Sequence, residues 1–198
     1  MGAVFCPLVY RRFSAYTSLM AGLTRKLPSQ RAQTDFNLRR WNELAEDPEV
    51  AKIEGRVETD RFGHVIMSPP PAARHGSFQS EIAYLLRSLM ETGRVLTECP
   101  VSTADGVRAA DVAWASPTCL EELGNRVCFA RSPEICVEVL SPGNSETEIL
   151  EKMELYFDAG AREVWLCEIS GAMRFFDGPN STCVSKLCPT FPTQIQLR

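Results

Sequence analysis

The sequence predicts a single α/β domain in which helices pack on a mixed β-sheet. Strand-like apolar runs alternate with helical patterns from Asp35 onward, and no Pro-, Gly- or Ser-rich linker divides the 198 residues. A hydrophobic share of 44% and a charged share of 23% are those of an ordinary globular protein. We therefore expect a domain at residues 35–198, preceded at residues 1–34 by an N-terminal extension that is disordered or reflects a misassigned start.

Charge is unevenly distributed along the chain. Residues 1–34 hold five basic residues and no acid, so with a formal net charge of −4 the remainder carries −9. An acidic domain argues against a sequence-blind DNA coat, whose affinity would rest on neutralising phosphates. It leaves room for an enzyme with a local basic cleft and a bound metal. No apolar run is long enough to span a membrane, so we expect a soluble, cytoplasmic protein without a membrane partner.

Eight cysteines and two histidines raise the question of a zinc cluster or disulfides. No pair of cysteines forms C-x-x-C, and only His64 and His75 could add nitrogen ligands. Cys136 and Cys167 lie inside apolar strand-like runs, where a free cysteine behaves as a small hydrophobe. Reduced, buried thiols are therefore expected.

The first half of the domain is predicted from periodicity and turn residues. A short helix should begin at its cap, Asp35, and continue through Ala45, followed by the strands RVETD and GHVIMS joined by a turn at residues 60–63. A triple proline forces an extended connector before the clearest helix, which has one apolar stripe. Gly93 is the expected left-handed cap at the end of that helix.

The second half begins with a predicted hairpin. Asp105-Gly106 lies between the strand-like runs VLTECPVST and VRAADVAWA, which is a good hairpin signal. ICVEVL predicts a buried strand, and a capping box of Ser145 and Glu148 begins a helix that runs to about residue 157. REVWLCEI and AMRFFD predict a further hairpin, and the loop-rich tail has room for one edge strand.

Two acidic residues, Asp111 and Glu138, lie within strand-like runs that should be buried. An ionised carboxylate there costs several kcal/mol unless something compensates it. A salt bridge or an exposed strand end is the commoner explanation for a single acid. The two together favour a shared cation, because Mg²⁺ prefers carboxylate oxygens, and the carbonyl of Val139 could add a further ligand.

Glu148, Lys152 and Tyr156 stand at i, i+4 and i+8, on one face of the second long helix. By spacing alone, Glu148 and Lys152 form a solvent-facing pair. The functional alternative places the Lys152 ammonium near the metal site, where it would stabilise charge on a phosphorane-like transition state.

A family resemblance rests on the stretches RVETD, MSPPPAARHG, AADVAWAS, PEICVEVLSPGN, EKMELY and GAREVWL. In this order and spacing, over residues 37–177, the chain resembles the bacterial Uma family of restriction endonucleases, a branch of the PD-(D/E)XK nuclease superfamily. The resemblance implies a PD-(D/E)XK nuclease-like fold, with a four-stranded mixed central sheet flanked by helices. It also implies a site for Mg²⁺ or Mn²⁺.

The resemblance also assigns roles to individual residues. It implies that Asp111 and Glu138 are catalytic metal ligands and that Glu58 completes the metal site. Lys152 matches the family's catalytic lysine, displaced from the strand to the following helix. His75 and Tyr156 are accessory candidates, without a specified role.

The chain departs from the superfamily signature at two positions. Ala110 replaces a proline that only shapes the backbone. Leu140 stands where the E-x-K form has its lysine, so activity would depend on Lys152 reaching the site from its helix.

The implied activity is Mg²⁺-dependent endonucleolytic hydrolysis of phosphodiester bonds, with nucleic acid, in the first place DNA, as the partner. A homodimer would be natural for cutting both strands. The alternative is a catalytically silent nuclease-fold protein that acts as a nucleic-acid or protein interaction module. The acidic domain and the missing strand lysine favour the alternative, whereas the retained Asp111, Glu138 and Lys152 favour the enzyme.

Overall fold

A computed structural model describes residues 29–178 and 180–197. Its helices and strands are, in chain order, α1 (Gln30–Glu46), β1 (Arg56–Thr59), β2 (Val65–Ser68), α2 (Ala73–Leu89), β3 (Arg94–Thr103), β4 (Gly106–Ala115), α3 (Pro117–Leu123), β5 (Ile135–Val139), α4 (Glu146–Asp158), β6 (Glu163–Cys167), β7 (Met173–Phe176) and β8 (Ser181–Thr182). The predicted fold class, a mixed sheet flanked by helices, is confirmed.

The central sheet has the strand order β3-β4-β5-β6-β7-β8. Among the strand pairs of the described residues, only β5 and β6 run parallel, and α4 forms the crossover between them. The resemblance implies four strands, whereas the described residues form six in this sheet. β1 and β2 pair in a separate antiparallel hairpin, as predicted.

Helices cover the two faces of the sheet. α2 covers one face with its apolar stripe, in a core formed by Phe78, Ile82, Leu86, Val112, Trp114, Val137, Val139, Trp165 and Phe175. α4 covers the opposite face, in a core formed by Met153, Tyr156, Ala113, Cys136, Val164 and Leu166. Because side chains alternate along a strand, Val137 and Val139 face α2, and Glu138 faces α4.

The start of α1 differs from the prediction. Ser29 is the cap, since its hydroxyl accepts from the backbone N–H of Ala32 at 3.3 Å, and Asp35 lies inside the helix. The predicted domain boundary at residue 35 therefore falls within α1. Buried Gln33 donates to the carbonyl of Arg61 at 2.9 Å and ties this part of the helix to the domain. Residues 1–28 of the predicted extension lie outside the described residues.

The predicted role of Gly93 was also wrong. α2 ends at Leu89, and the N–H of Met90 bonds to the carbonyl of Leu86. Gly93 instead precedes β3 with φ +79°, where an added Cβ would lie 2.4 Å from the carbonyl oxygen of Ala115. The close approach of the two backbones requires glycine there.

Other expectations are confirmed. The hairpin of β3 and β4, the hairpin of β6 and β7 and the Ser145–Glu148 capping box are all present. α3 was not predicted, although Ser116 caps it and a proline occupies its first turn. The seven cysteines in the described part are free, and six of them are buried; Cys6 lies outside it. Within residues 29–178 and 180–197, no helix is both long and apolar enough to cross a membrane.

Candidate active site

Strands β4 and β5 bring the two predicted acids together. Their ladder ends at the pair Val112 and Val137. Asp111 and Glu138 occupy the next register position, where the two strands cease to pair. Asp111 lies within β4, which continues to pair with β3, and Glu138 lies one residue before the end of β5, so the two acids lie beside each other where the β4–β5 ladder ends.

A third acid, Glu98 of β3, lies at the same register position as Asp111. β3 pairs with β4 at Thr97 and again at Cys99, and the interruption places Glu98 opposite Asp111. Among the described residues, Glu98 is the only non-glycine with a positive φ, at 50°. Such a backbone conformation costs on the order of 1–3 kcal/mol and concentrates at functional sites.

Sequence reasoning missed Glu98, although a signal was available. The Asp105-Gly106 turn sets the register of the hairpin, and counting back from it places Glu98 opposite Asp111.

Asp111 is almost completely buried, with 1% of its side chain exposed. Its Oδ2 accepts from the backbone N–H of Val139 at 2.6 Å, and the carbonyl of the same residue stays a predicted further ligand. Its Oδ1 contacts the Arg56 guanidinium and lies 3.3 Å from His75 Nε2. Burial opposes ionisation, but His75 and Arg56 outweigh it and lower the pKa of Asp111 to about 2.

Glu138 has the opposite balance. Its Oε2 accepts from Lys152 Nζ at 3.0 Å and its Oε1 accepts from the Tyr156 hydroxyl at 2.8 Å. Burial nevertheless outweighs the Lys152 charge and, together with the nearby charge of Asp111, raises the pKa of Glu138 to about 7. The two acids therefore lie together beside the end of the β4–β5 ladder but differ in how readily they ionise.

Lys152 reaches the site from α4. Its ammonium lies 3.2 Å from Glu58 Oε1, in addition to its contact with Glu138, and it donates to the carbonyl of Ala109 at 3.2 Å. The solvent-facing pair with Glu148 is therefore wrong, because Glu148 closes the capping box. Glu58 is fixed in turn by the backbone N–H of Ala109 at 2.8 Å.

His75 lies in the first turn of α2, with 11% of its side chain exposed. Its Nδ1 is 3.4 Å from the Ser141 hydroxyl, whereas its Nε2 faces Asp111 without a well-aligned hydrogen bond. Interaction with Asp111 raises the pKa of His75, against the effect of burial. The structure thus brings the predicted residues Glu58, His75, Asp111, Glu138, Lys152 and Tyr156 into one cluster.

Arg56 was also missed by sequence reasoning. It stands two residues before Glu58 in β1, with 16% of its side chain exposed, and contacts both Glu98 and Asp111. Gln79 of α2 supports the same arrangement by donating to Glu98 Oε1 at 2.9 Å and to the carbonyl of Asp111 at 2.8 Å. A single arginine in a short strand carries no periodic signal, so only the fold could identify it.

The donor set suits a divalent cation in chemistry and charge. Glu58, Asp111 and Glu138 supply hard carboxylate oxygens, the ligands that Mg²⁺ prefers, and Glu98, which is held by Arg56, adds a fourth negative charge nearby. Two positively charged side chains, Arg56 and Lys152, face these four acids. If all four acids are ionised and His75 is neutral, the cluster carries two excess negative charges. In the described part of the chain, however, no three potential ligand side chains are gathered into a preformed metal site. Arg56 contacts Oδ1 of Asp111 and Lys152 contacts Oε2 of Glu138, so a metal ion at either oxygen would displace a salt bridge.

Comparison with a solved structure gives the class of fold. The chain is similar to a crystal structure described as "a putative nuclease belonging to DUF820" from Anabaena variabilis ATCC 29413. The two share 21% sequence identity with a TM-score of 0.55, over 68% of this chain and 80% of the other. At this identity the likeness establishes a nuclease-like fold, with a mixed sheet flanked by helices. No curated protein matches the chain.

The family follows from the sequence match. The Uma2 model, described as "Putative restriction endonuclease", matches residues 38–180, well over half of the chain. The chain therefore belongs to the Uma2 family, and the predicted family is confirmed.

Proposed function

We propose that this protein is a Mg²⁺-dependent endonuclease that hydrolyses phosphodiester bonds in DNA, with Mn²⁺ as an alternative metal. Membership of the family supports a nuclease. The contact of Lys152 with Glu58 and Glu138 is the observation that carries the proposal. Lys152 supplies from α4 the positive charge that is missing after β5, where Leu140 stands at the position of the superfamily's lysine.

Asp111 and Glu138, with Glu58, would hold the metal. When bound, the ion would polarise the scissile phosphate and lower the pKa of a bound water. Both principal ligands are oriented by neutral donors: the N–H of Val139 on Asp111 and the hydroxyl of Tyr156 on Glu138. Such supporting hydrogen bonds fix a ligand's orientation without adding charge that would repel a metal.

Lys152 would act on the phosphate. Its ammonium already lies among the carboxylates, so it can offset the charge that develops on the phosphate oxygens without crossing the site. His75, on α2, lies 3.3 Å from Asp111 and is an accessory group that approaches from the helix opposite Lys152. Water would attack phosphorus directly, and no covalent intermediate with the protein is required.

Nicking of supercoiled plasmid tests the proposal. The wild-type chain should cleave with Mg²⁺ or Mn²⁺ and stop in EDTA, and Asp111→Asn or Glu138→Gln should reduce the rate by about 100-fold or more. Glu122→Gln, at an exposed acid paired with Arg131, is the matched control and should cleave normally. Calorimetric titration of Mn²⁺ should lose its signal in the same two variants. Cleavage that survives in both variants would refute the assignment, and an RNA substrate run in parallel tests the preference for DNA.

A catalytically silent interaction module is the second candidate. One observation favours it: Arg56 and Lys152 already neutralise Asp111 and Glu138. Duplex DNA that is retarded on a native gel but stays intact with Mg²⁺ over long incubation would establish it.

Sedimentation velocity with and without DNA tests the predicted homodimer.

A further inference from the structure

Arg56 forms a two-sided ion pair at the candidate active site. Its Nε and Nη2 donate to the two carboxylate oxygens of Glu98 at 2.8 and 2.9 Å, and Nη2 also contacts Asp111 Oδ1. The bond to Glu98 is bidentate and accounts for two donors, whereas Asp111 receives only one. The guanidinium would therefore keep its stronger partner if the contact with Asp111 opened.

The two oxygens of Asp111 are held differently. Oδ2 is fixed by the backbone N–H of Val139, within the core of the sheet. Oδ1 contacts two side chains of the described residues, those of Arg56 and His75. The carboxylate can thus exchange its partner at Oδ1 while Oδ2 preserves its orientation.

Glu98 is the group that would retain Arg56. Its side chain is 46% exposed, so charge there is solvated at little cost, unlike charge at Asp111. Its positive-φ backbone interrupts the ladder with β4, and Gln79 holds the side chain toward Arg56. A strained backbone that directs an acid at one arginine indicates that the position of this arginine matters.

We propose that Arg56 is an exchangeable counter-ion, which neutralises Asp111 until a divalent cation takes Oδ1 and then remains on Glu98. The inference rests on the proposed metal site. The arginine prevents an unpaired charge at the most buried acid of the site, and it competes with the metal for the same oxygen. Arg56 is thus a positioning residue that sets metal affinity, and Glu98 sets the strength of the competition.

The two residues give opposite predictions for Mn²⁺ binding by the full-length chain, measured calorimetrically. Arg56→Met removes the competitor, so Mn²⁺ should bind about tenfold more tightly than to the wild type. Glu98→Gln leaves Arg56 with Asp111 as its only charged partner, so Mn²⁺ should bind several-fold more weakly. Arg131→Met removes an equal charge from a surface pair and should leave the affinity unchanged.

The outcomes separate this inference from the metal site itself. Equal Mn²⁺ affinity in the wild type and in Arg56→Met would overturn the exchange but leave the metal site intact. Absence of binding in every variant would overturn both. If Arg56→Met does not fold, the half-exposed Glu98→Gln decides: weaker binding supports the exchange, and unchanged or tighter binding refutes it.

Discussion

Glu138 and Glu163 are both buried acids of the central sheet, but their surroundings differ. Within the described part of the chain, the donors to Glu163, at the start of β6, are all neutral: Trp165 Nε1 and the Ser185 hydroxyl, each at 2.7 Å, and the backbone N–H groups of residues 186 and 187 at 2.7 and 2.9 Å. Glu138 accepts from one neutral donor, the Tyr156 hydroxyl, and from one cation, Lys152, and it lies beside other acids. Burial alone therefore does not distinguish a site from a structural acid, whereas the kind of partner does.

The two acids differ in whether fixed dipoles or a mobile charge compensates them. Glu163 is satisfied by fixed dipoles, which need no counter-ion and leave no reason for a metal to bind. Glu138 is compensated by Lys152, a charge on a flexible stem that can turn toward a substrate phosphate. We therefore expect substitution at Glu163 to affect stability, and substitution around Glu138 to affect activity.

The largest expected effect is on catalysis. Lys152→Met should lower the single-turnover rate of plasmid cleavage by about 100- to 1,000-fold, because no other cation lies between Glu58 and Glu138 among the described residues. Lys152→Arg keeps the charge and should recover part of the rate. A Lys152→Met variant as fast as the wild type would make Glu138 a structural acid like Glu163.

The next effect is on stability. Glu163→Ala should reduce the free energy of unfolding by about 3 kcal/mol, since it leaves four donors without their acceptor in the core. Urea denaturation measures the loss. Cleavage per folded molecule should stay at the wild-type level, and a loss of activity in molecules that remain folded would contradict the division between the two acids.

A pH effect should distinguish Glu138 in the absence of metal. Its pKa is raised from 4.5 to about 7 on folding, so over this window the folded state binds more protons than the unfolded state. Stability should therefore fall as the pH rises from 4.5 to about 7, by at most about 1.4 kcal/mol per pH unit.

Urea unfolding in EDTA at several pH values measures this slope. Glu138→Gln cannot ionise, so its stability should decline less over the same window. Wild-type and variant curves that run parallel would show that Glu138 is ionised at no cost, in conflict with its burial.

The smallest effect concerns the neutral donor. Tyr156→Phe removes the hydroxyl that bonds Glu138 at 2.8 Å and should cost about 1 kcal/mol of folding free energy. Thermal melts measure the change, and Phe157→Leu on the same helix is a control for packing. A loss several times larger would mean that the hydroxyl supports the core beyond Glu138.

Local sequence predicted much of the fold and part of the site. The Asp105-Gly106 turn and the Ser145–Glu148 capping box act over a few residues, so their hairpin and helix were placed correctly. Asp111 and Glu138 were recognisable because an acid in an apolar strand needs compensation wherever the strand lies. The start of α1 was missed because residues 1–34 were assigned to an extension, whereas Gln33 donates to the carbonyl of Arg61 and ties the first turns of the helix to the domain.

The amino-acid sequence by itself determined the family, the order of most strands and helices, and the two acids that require a partner. Only the tertiary structure decided which partners they receive. Lys152 could equally have paired with Glu148 on its own helix, since spacing within a helix says nothing about groups across the sheet. Arg56, Glu98 and Asp111 come from three different strands. Strand register places Glu98 opposite Asp111, and packing of the separate β1–β2 hairpin against β4 brings Arg56 to both, so the energy of these ion pairs depends on distances in space that the local sequence does not reveal.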